Sequence, residues 1–457
     1  MRREMRALNR FGLGARIGEA ERLNDPKGWV LSQLSGSSRA GSWASDLPSL
    51  AEAGDVFSAL RRARAQRDQA ALAEARAALR EHAVRESTAM LSERVRTERP
   101  FLERWVAFWS NHLCVSTAAK QQVAALAGHY ERQAIRPHVL GRFDELVLAT
   151  ARHPAMLFYL DNFQSIGPES QAGRRTARRG RARGLNENYA RELLELHTVG
   201  VDGGYAQDDV EALARILTGW TVDGVGPGST QEASMRFVFR AVLHEPGDKT
   251  VLGRRYRASG VGEGEHVIRD LCGRPETARF LAAKLVRHFV SDDPPPGAVD
   301  EIAEVFTSSG GDLQRVAEAL VDLPDVWETP HRKFRTPQEW IVAVLRAAHF
   351  DDVPDSVPQL LRQLRHTPWA PSSPKGYGDT RGEWADPEAL MSRAELARSM
   401  SRRFVGRRGN GGLDAAQLLS VVAPEDADAV RGLLTDSSIG MDERVALAIG
   451  GPAFQWR

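Results

Sequence analysis

Between Val56 and Arg99 the chain contains neither glycine nor proline, and no other feature narrows its fold as much. The run DQAALAEARAALREHAVRESTAMLSERVRTER (68–99) is built from strong helix formers with apolar residues at helical spacing. It predicts a long amphipathic helix carrying one tight turn. Pro100 then suits a first helical position, with Thr97 as N-cap, and opens a second helix over FLERWVAFWSNHL (101–113). Arg136–Asn162 predicts two shorter helices divided near His153-Pro154.

Further on, breakers become informative. Residues 164–184 carry six arginines (174, 175, 178, 179, 181, 183) among Gly, Ser and Thr, and predict an exposed, flexible Arg/Gly-rich loop. Residues 222–262 are punctuated by Gly and Pro and hold two β-like runs, 236–242 and 249–256, which predict a hairpin joined through His244-Glu245-Pro246-Gly247-Asp248. Helices resume at 264–273, 275–291, 298–309, 312–323 and 337–350. Residues 366–387, rich in Pro, Gly and Trp, predict an irregular but ordered loop. The expected architecture is mostly α: one large multi-helix globular domain over 1–457 with a small β-hairpin insertion at 222–262.

With 61 Lys+Arg against 60 Asp+Glu, the net charge of +1 gives no whole-protein field to draw nucleic acid. No stretch is long and apolar enough for a membrane span. The N-terminus has basic residues but no apolar core of signal-peptide length, so a cytoplasmic protein is the default expectation. A start placed further upstream would leave room for an export signal. Cys114 and Cys272 cannot build a disulfide framework or a cysteine-rich metal site, and read as two buried thiols. No phosphate-binding loop, dinucleotide fingerprint or nucleophile elbow is present.

The densest chemical segment is NENYARELLELHTVG (186–200), with Gly200 as a natural helix end. At about 100° per residue, Glu187, Asn188, Arg191, Glu192 and Glu195 share one face. His197 lies on the opposite, apolar face beside Tyr189 and Leu193. Glu195 and His197 therefore cannot ligate one metal from this helix, and no metal site is assigned. Two readings stay open. The polar face is a ladder of i,i+4 ion pairs, or it is a site with Glu192 and Glu195 as acid and base, Arg191 as anion stabiliser, and Glu187 and Asn188 binding substrate. On 101–113, Phe101, Trp105, Phe108, Trp109 and His112 form an aromatic stripe, either core or a binding platform; His112 needs a polar partner there. His244 and Lys249, on what reads as an exposed turn, are further substrate-binding candidates.

ALNRFGLGAR, FWSNHL, RPHVLGRF, HPAMLFYLDN, GLNENYARELLELHTVGVDGGY, LTGW, HEPGDKTVLG, ARFLAAKLVRHFVSDDPP and the closing FQWR resemble the bacterial domain-of-unknown-function family 1800 (DUF1800) from about Ala7 to Arg457. The resemblance implies a nearly all-α fold and names no activity and no cofactor. It also implies a partner protein encoded nearby, of a family similar to sulfatases and phosphatases. In the family pattern, polar residues recur on the outer face of the 186–198 helix, and His366, Trp369 and Tyr377 lie in a loop that fits the family's P-x-x-x-G-aromatic pattern only in part. Three functions are carried forward. The first is an enzyme, of hydrolase type, acting on a polar substrate such as a glycan or another polymer. The second is a binding or scaffold protein of a surface or polymer pathway. The third is a metal or haem protein.

Overall fold

The glycine-free run folds into two antiparallel helices, Leu50–Gln66 and Gln69–Arg96, joined by one tight turn. Arg67 takes a left-handed conformation there (φ 56°), and Asp68 caps the second helix by accepting from the Ala71 amide at 3.0 Å. The first helix opens on a reciprocal capping box between Ser49 and Glu52. In this computed structural model the described residues are 3–39, 41–178, 184–225, 234–328, 333–405, 414–422 and 424–457. Arg179, Arg181 and Arg183 of the expected loop lie outside them.

The expected helices form, with shifts at their ends. Pro100–His112 follows with Pro100 in its first turn, but Arg99 rather than Thr97 occupies the N-cap. Thr97 instead accepts from the Arg99 amide through its hydroxyl at 3.0 Å. Phe143–Arg152 and Pro154–Tyr159 divide at His153, whose Nδ1 caps the second helix. Part of the expected Arg/Gly loop is helical: Ser170 caps Gln171–Ala177.

The β structure departs from expectation in its pairing. Among the described residues there are two antiparallel two-stranded sheets. β1 (Trp220–Val222) pairs with β2 (Phe237–Phe239), and β3 (Lys249–Val251) pairs with β4 (Arg254–Tyr256). The run at 236–242 therefore reaches back to Trp220 rather than forward to 249, and 249–256 folds on itself about Gly253 (φ 77°). Burial explains the preference, because Trp220 and Val222 are fully buried and need a partner strand to satisfy their backbone.

Apolar side chains gather in two clusters. One is centred on the helices at 100–112, 143–159, 207–217 and 261–327. The other joins the end of the 69–96 helix to residues 340–454. The N-terminal segment belongs to both: Ala7 and Phe11 enter the first cluster, while Met5, Leu8 and Leu13 enter the second. Along the seam runs a cavity. Among the described residues, no helix is long and apolar enough to cross a membrane.

Candidate active site

The cavity has a volume of about 310 Å³. One wall is the helix Pro275–Phe289, whose first turn carries Pro275 and whose Leu281, Leu285 and Phe289 are buried in the first cluster. That anchoring turns Lys284, Arg287 and His288, at i, i+3 and i+4, toward the opening. Phe108, Asn111 and His112 of the Pro100–His112 helix form a second wall, and the 366–384 loop supplies a third. That loop is ordered, as its composition predicts. Asn111 pins it twice, donating to the Tyr377 carbonyl and accepting from the Tyr377 amide, both at 2.8 Å. Gly376 fits there because its φ is +84° and a Cβ would lie 2.5 Å from the Asn111 carbonyl oxygen.

His288 Nδ1 lies 2.8 Å from Asp379 Oδ2. Burial pushes the Asp379 carboxyl up, but His288, Lys333 and Arg457 outweigh it and hold the group at about 2. An ionised carboxylate only accepts, so Nδ1 carries the proton and Nε2 keeps a lone pair. Nε2 is buried and has no hydrogen-bond partner among the described residues. Burial also lowers the His288 pKa, with Asp379 opposing, so the ring rests as a neutral base. The carboxylate is itself fixed from behind. Lys333 bonds to Asp292 and to the Asp379 carbonyl, and Arg457 lies 3.7 Å from Asp379 Oδ1 and 3.1 Å from Glu339 Oε1.

Lys284 stands one helical turn before His288. Its Nζ donates to His112 Nδ1 at 2.9 Å, because His112 Nε2 is committed as donor to the His197 carbonyl at 3.2 Å. Burial lowers the Lys284 amine to about 8, within reach of proton exchange near neutral pH. His112 is held well below its ordinary range by burial and by Lys284. Cys114 also lines the cavity, but burial pushes its thiol up to about 12, so it is no thiolate nucleophile. Both cysteines are free and buried, as expected.

The residues singled out in the sequence scatter. His112 lines the cavity, and the polar partner it needs is Lys284. Trp109 does not line it; the indole is fully buried in the first cluster, 5.7 Å from Trp105. His244 and Lys249 do not lie on an exposed turn. Both are tucked inside the fold, His244 Nε2 and Lys249 Nζ each 3.1 Å from Oε2 of the buried Glu263.

The 186–200 helix is α-helical only over Asn188–Glu192 and continues as a π-helical turn through Leu193–His197. Its faces divide as the wheel predicts up to the π turn, but Thr198, placed by the wheel on the polar face, is fully buried and donates to the Leu193 carbonyl at 2.6 Å. His197 is buried, while Glu187, Arg191, Glu192 and Glu195 are half-buried and Asn188 is exposed. Arg191 pairs with Glu187 at 3.4 Å and Glu195 at 3.6 Å, and Gln207 bonds to both Arg191 and Glu187 at 2.8 Å. None of these residues lines the cavity. Glu192 has no hydrogen-bond or ion-pair partner among the described residues. Burial and then Glu195 raise its carboxyl pKa, and its charge reaches Cys114 in the cavity wall. Among the described residues no three His, Cys, Asp or Glu side chains are grouped to hold a metal ion.

Sequence reading missed His288, Asp379 and Lys284. One signal was present: KLVRH places a lysine and a histidine four apart on the polar face of an amphipathic helix.

Comparison with known proteins gives one match. The sequence model of a family described as "Protein of unknown function (DUF1800)" matches residues 6–456. No curated protein and no solved structure matches the chain.

Proposed function

The chain belongs to the DUF1800 family, and we propose that it is an enzyme running acid–base chemistry on a polar substrate held in the seam cavity. One observation carries this reading: among the described residues His288 Nε2 is a buried base without a hydrogen-bond partner, and its opposite nitrogen is fixed by an ionised Asp379. In this scheme Nε2 takes a proton from a water or a substrate hydroxyl. The Asp379 carboxylate steadies the imidazolium that forms, and the Lys284 ammonium supplies a proton or a positive charge to the departing oxygen. Hydrolysis is the reaction class that such a pair serves most directly, and a sugar or other polyol would provide the polar groups.

The test uses purified protein against chromogenic esters, glycosides and phosphoesters. His288→Ala should lower turnover by about 10²–10⁴-fold while the unfolding temperature stays close to that of the wild type. Turnover that survives in both His288→Ala and Asp379→Asn would sink the proposal. A second reading places the proton transfer on Glu192, favoured by its raised pKa and lack of a partner. Glu192→Gln distinguishes the two, because it should leave turnover nearly intact if His288 is the base.

A further inference from the structure

The acid–base scheme leaves the cavity's charge unexplained. Five lysine or arginine side chains line it against three carboxylates. The positive groups fall into two kinds. Arg104 pairs with Glu339, and Arg94 lies 3.6 Å from Glu131. Lys284, Arg287 and Lys375, by contrast, have no carboxylate within ion-pair distance among the described residues. Lys284 and Arg287 project from one helix face, and Lys375 stands on the loop that forms another wall. These three charges feel one another, since both Arg287 and Lys375 act to drive the proton off Lys284. Like charges gathered at a cavity wall cost free energy; Asp379 opposes this at Lys284, while Arg287 and Lys375 have no carboxylate partner of their own among the described residues.

We infer that Lys284, Arg287 and Lys375 form the anchor for a dianionic oxyanion, so that the substrate carries a phosphate monoester. Three lining cations without a carboxylate partner suit a group that carries close to two negative charges near neutral pH. Its three terminal oxygens also suit three cations better than the two oxygens of a carboxylate do. The cavity is larger than an inorganic ion, which leaves space for the remainder of a small molecule or for the end of a polymer. The inference rests on the cavity being the substrate site proposed above, and its test is separable from that proposal.

Phenylphosphonate, a dianion that cannot be hydrolysed to phenol, is titrated calorimetrically into the full chain at fixed ionic strength near neutral pH. Phenyl sulfate, a monoanion of similar shape, is the control. Phenylphosphonate should bind at one saturable site, at least about tenfold more tightly than phenyl sulfate. The double variant Arg287→Gln, Lys375→Gln should weaken it by about tenfold or more, and neither side chain makes an internal ion pair whose loss would unfold the protein. His288→Ala should bind phenylphosphonate about as well as the wild type, so a failed acid–base scheme would leave the anchor standing. Absence of saturable binding, equal affinity for the two probes, or undiminished binding by the double variant would each overturn the inference.

Discussion

Two carboxylates in this protein, the buried Glu263 and the half-buried Asp379, are equipped with nearly the same parts. Glu263 receives His244 and Lys249 on one oxygen, each at 3.1 Å. Asp379 receives His288 at 2.8 Å and Lys333 behind it. The difference lies in the second nitrogen of each histidine. His244 Nδ1 is used up on the Thr218 carbonyl at 2.9 Å, so both of its nitrogens face acceptors. His288 Nε2 has no hydrogen-bond partner among the described residues, and His288 lines the cavity. Residue type and pairing are therefore poor guides to chemistry. An uncommitted ring nitrogen on a residue that lines a cavity is what separates a candidate site from a structural knot.

The comparison can be broken by exchanging the treatment of the two knots. The largest expected contrast is in turnover: His244→Ala should change it by less than about twofold, against the loss of several orders of magnitude on removing His288. Equal losses in both variants, measured on the same substrate, would erase the distinction. Next comes stability. Glu263→Ala strands the buried Lys249 without its counter-charge and should cost about 3–5 kcal/mol in urea unfolding. A loss below about 1 kcal/mol would show that the knot is not structural.

A smaller effect should appear in acid. The Asp379 carboxyl is held at about 2 against an ordinary 3.8, so the folded state favours its ionised form. The resulting stabilisation, about 2 kcal/mol, is complete above the ordinary value and is lost as pH falls from 3.8 towards 2. Asp379→Asn should flatten the stability–pH curve in that window, and an unchanged slope would show that the charges around Asp379 do not favour its ionised form. Smallest of all, Arg191→Gln on the half-buried surface ladder should cost only a few tenths of a kcal/mol, and less still at high salt.

What could be read from the sequence was local. The division at His153-Pro154 and the opposition of His197 to Arg191, Glu192 and Glu195 follow from spacing and breakers over a few residues, whereas the turn at Arg67 has no Gly or Pro to mark its place. The β pairing was missed because Trp220–Val222, although made of strand-favouring residues, is only three residues long and closely follows the helix that ends at Leu217. The π turn at Leu193–His197 leaves no trace in a pattern of period 3.6. The candidate site failed for a larger reason: His288 and Asp379 are 91 residues apart, and Lys284 and His112 are separated by 172. The helix with the densest charges drew attention because it pairs with itself, whereas the cavity draws single residues from distant segments.

The N-terminal wedge shared by both apolar clusters also bears on how the chain folds. Asn9 donates to the Val421 carbonyl at 3.2 Å and accepts from Arg335 at 2.7 Å, while Arg10 donates to the Val290 carbonyl at 2.9 Å. The wedge thus joins segments far apart along the chain: Asn9 and Val421 are 412 residues apart, and Arg10 and Val290 are 280 apart. Docking of the wedge closes a loop of several hundred residues, so it belongs at the end of folding, and the seam cavity reaches its final shape only when that step is complete.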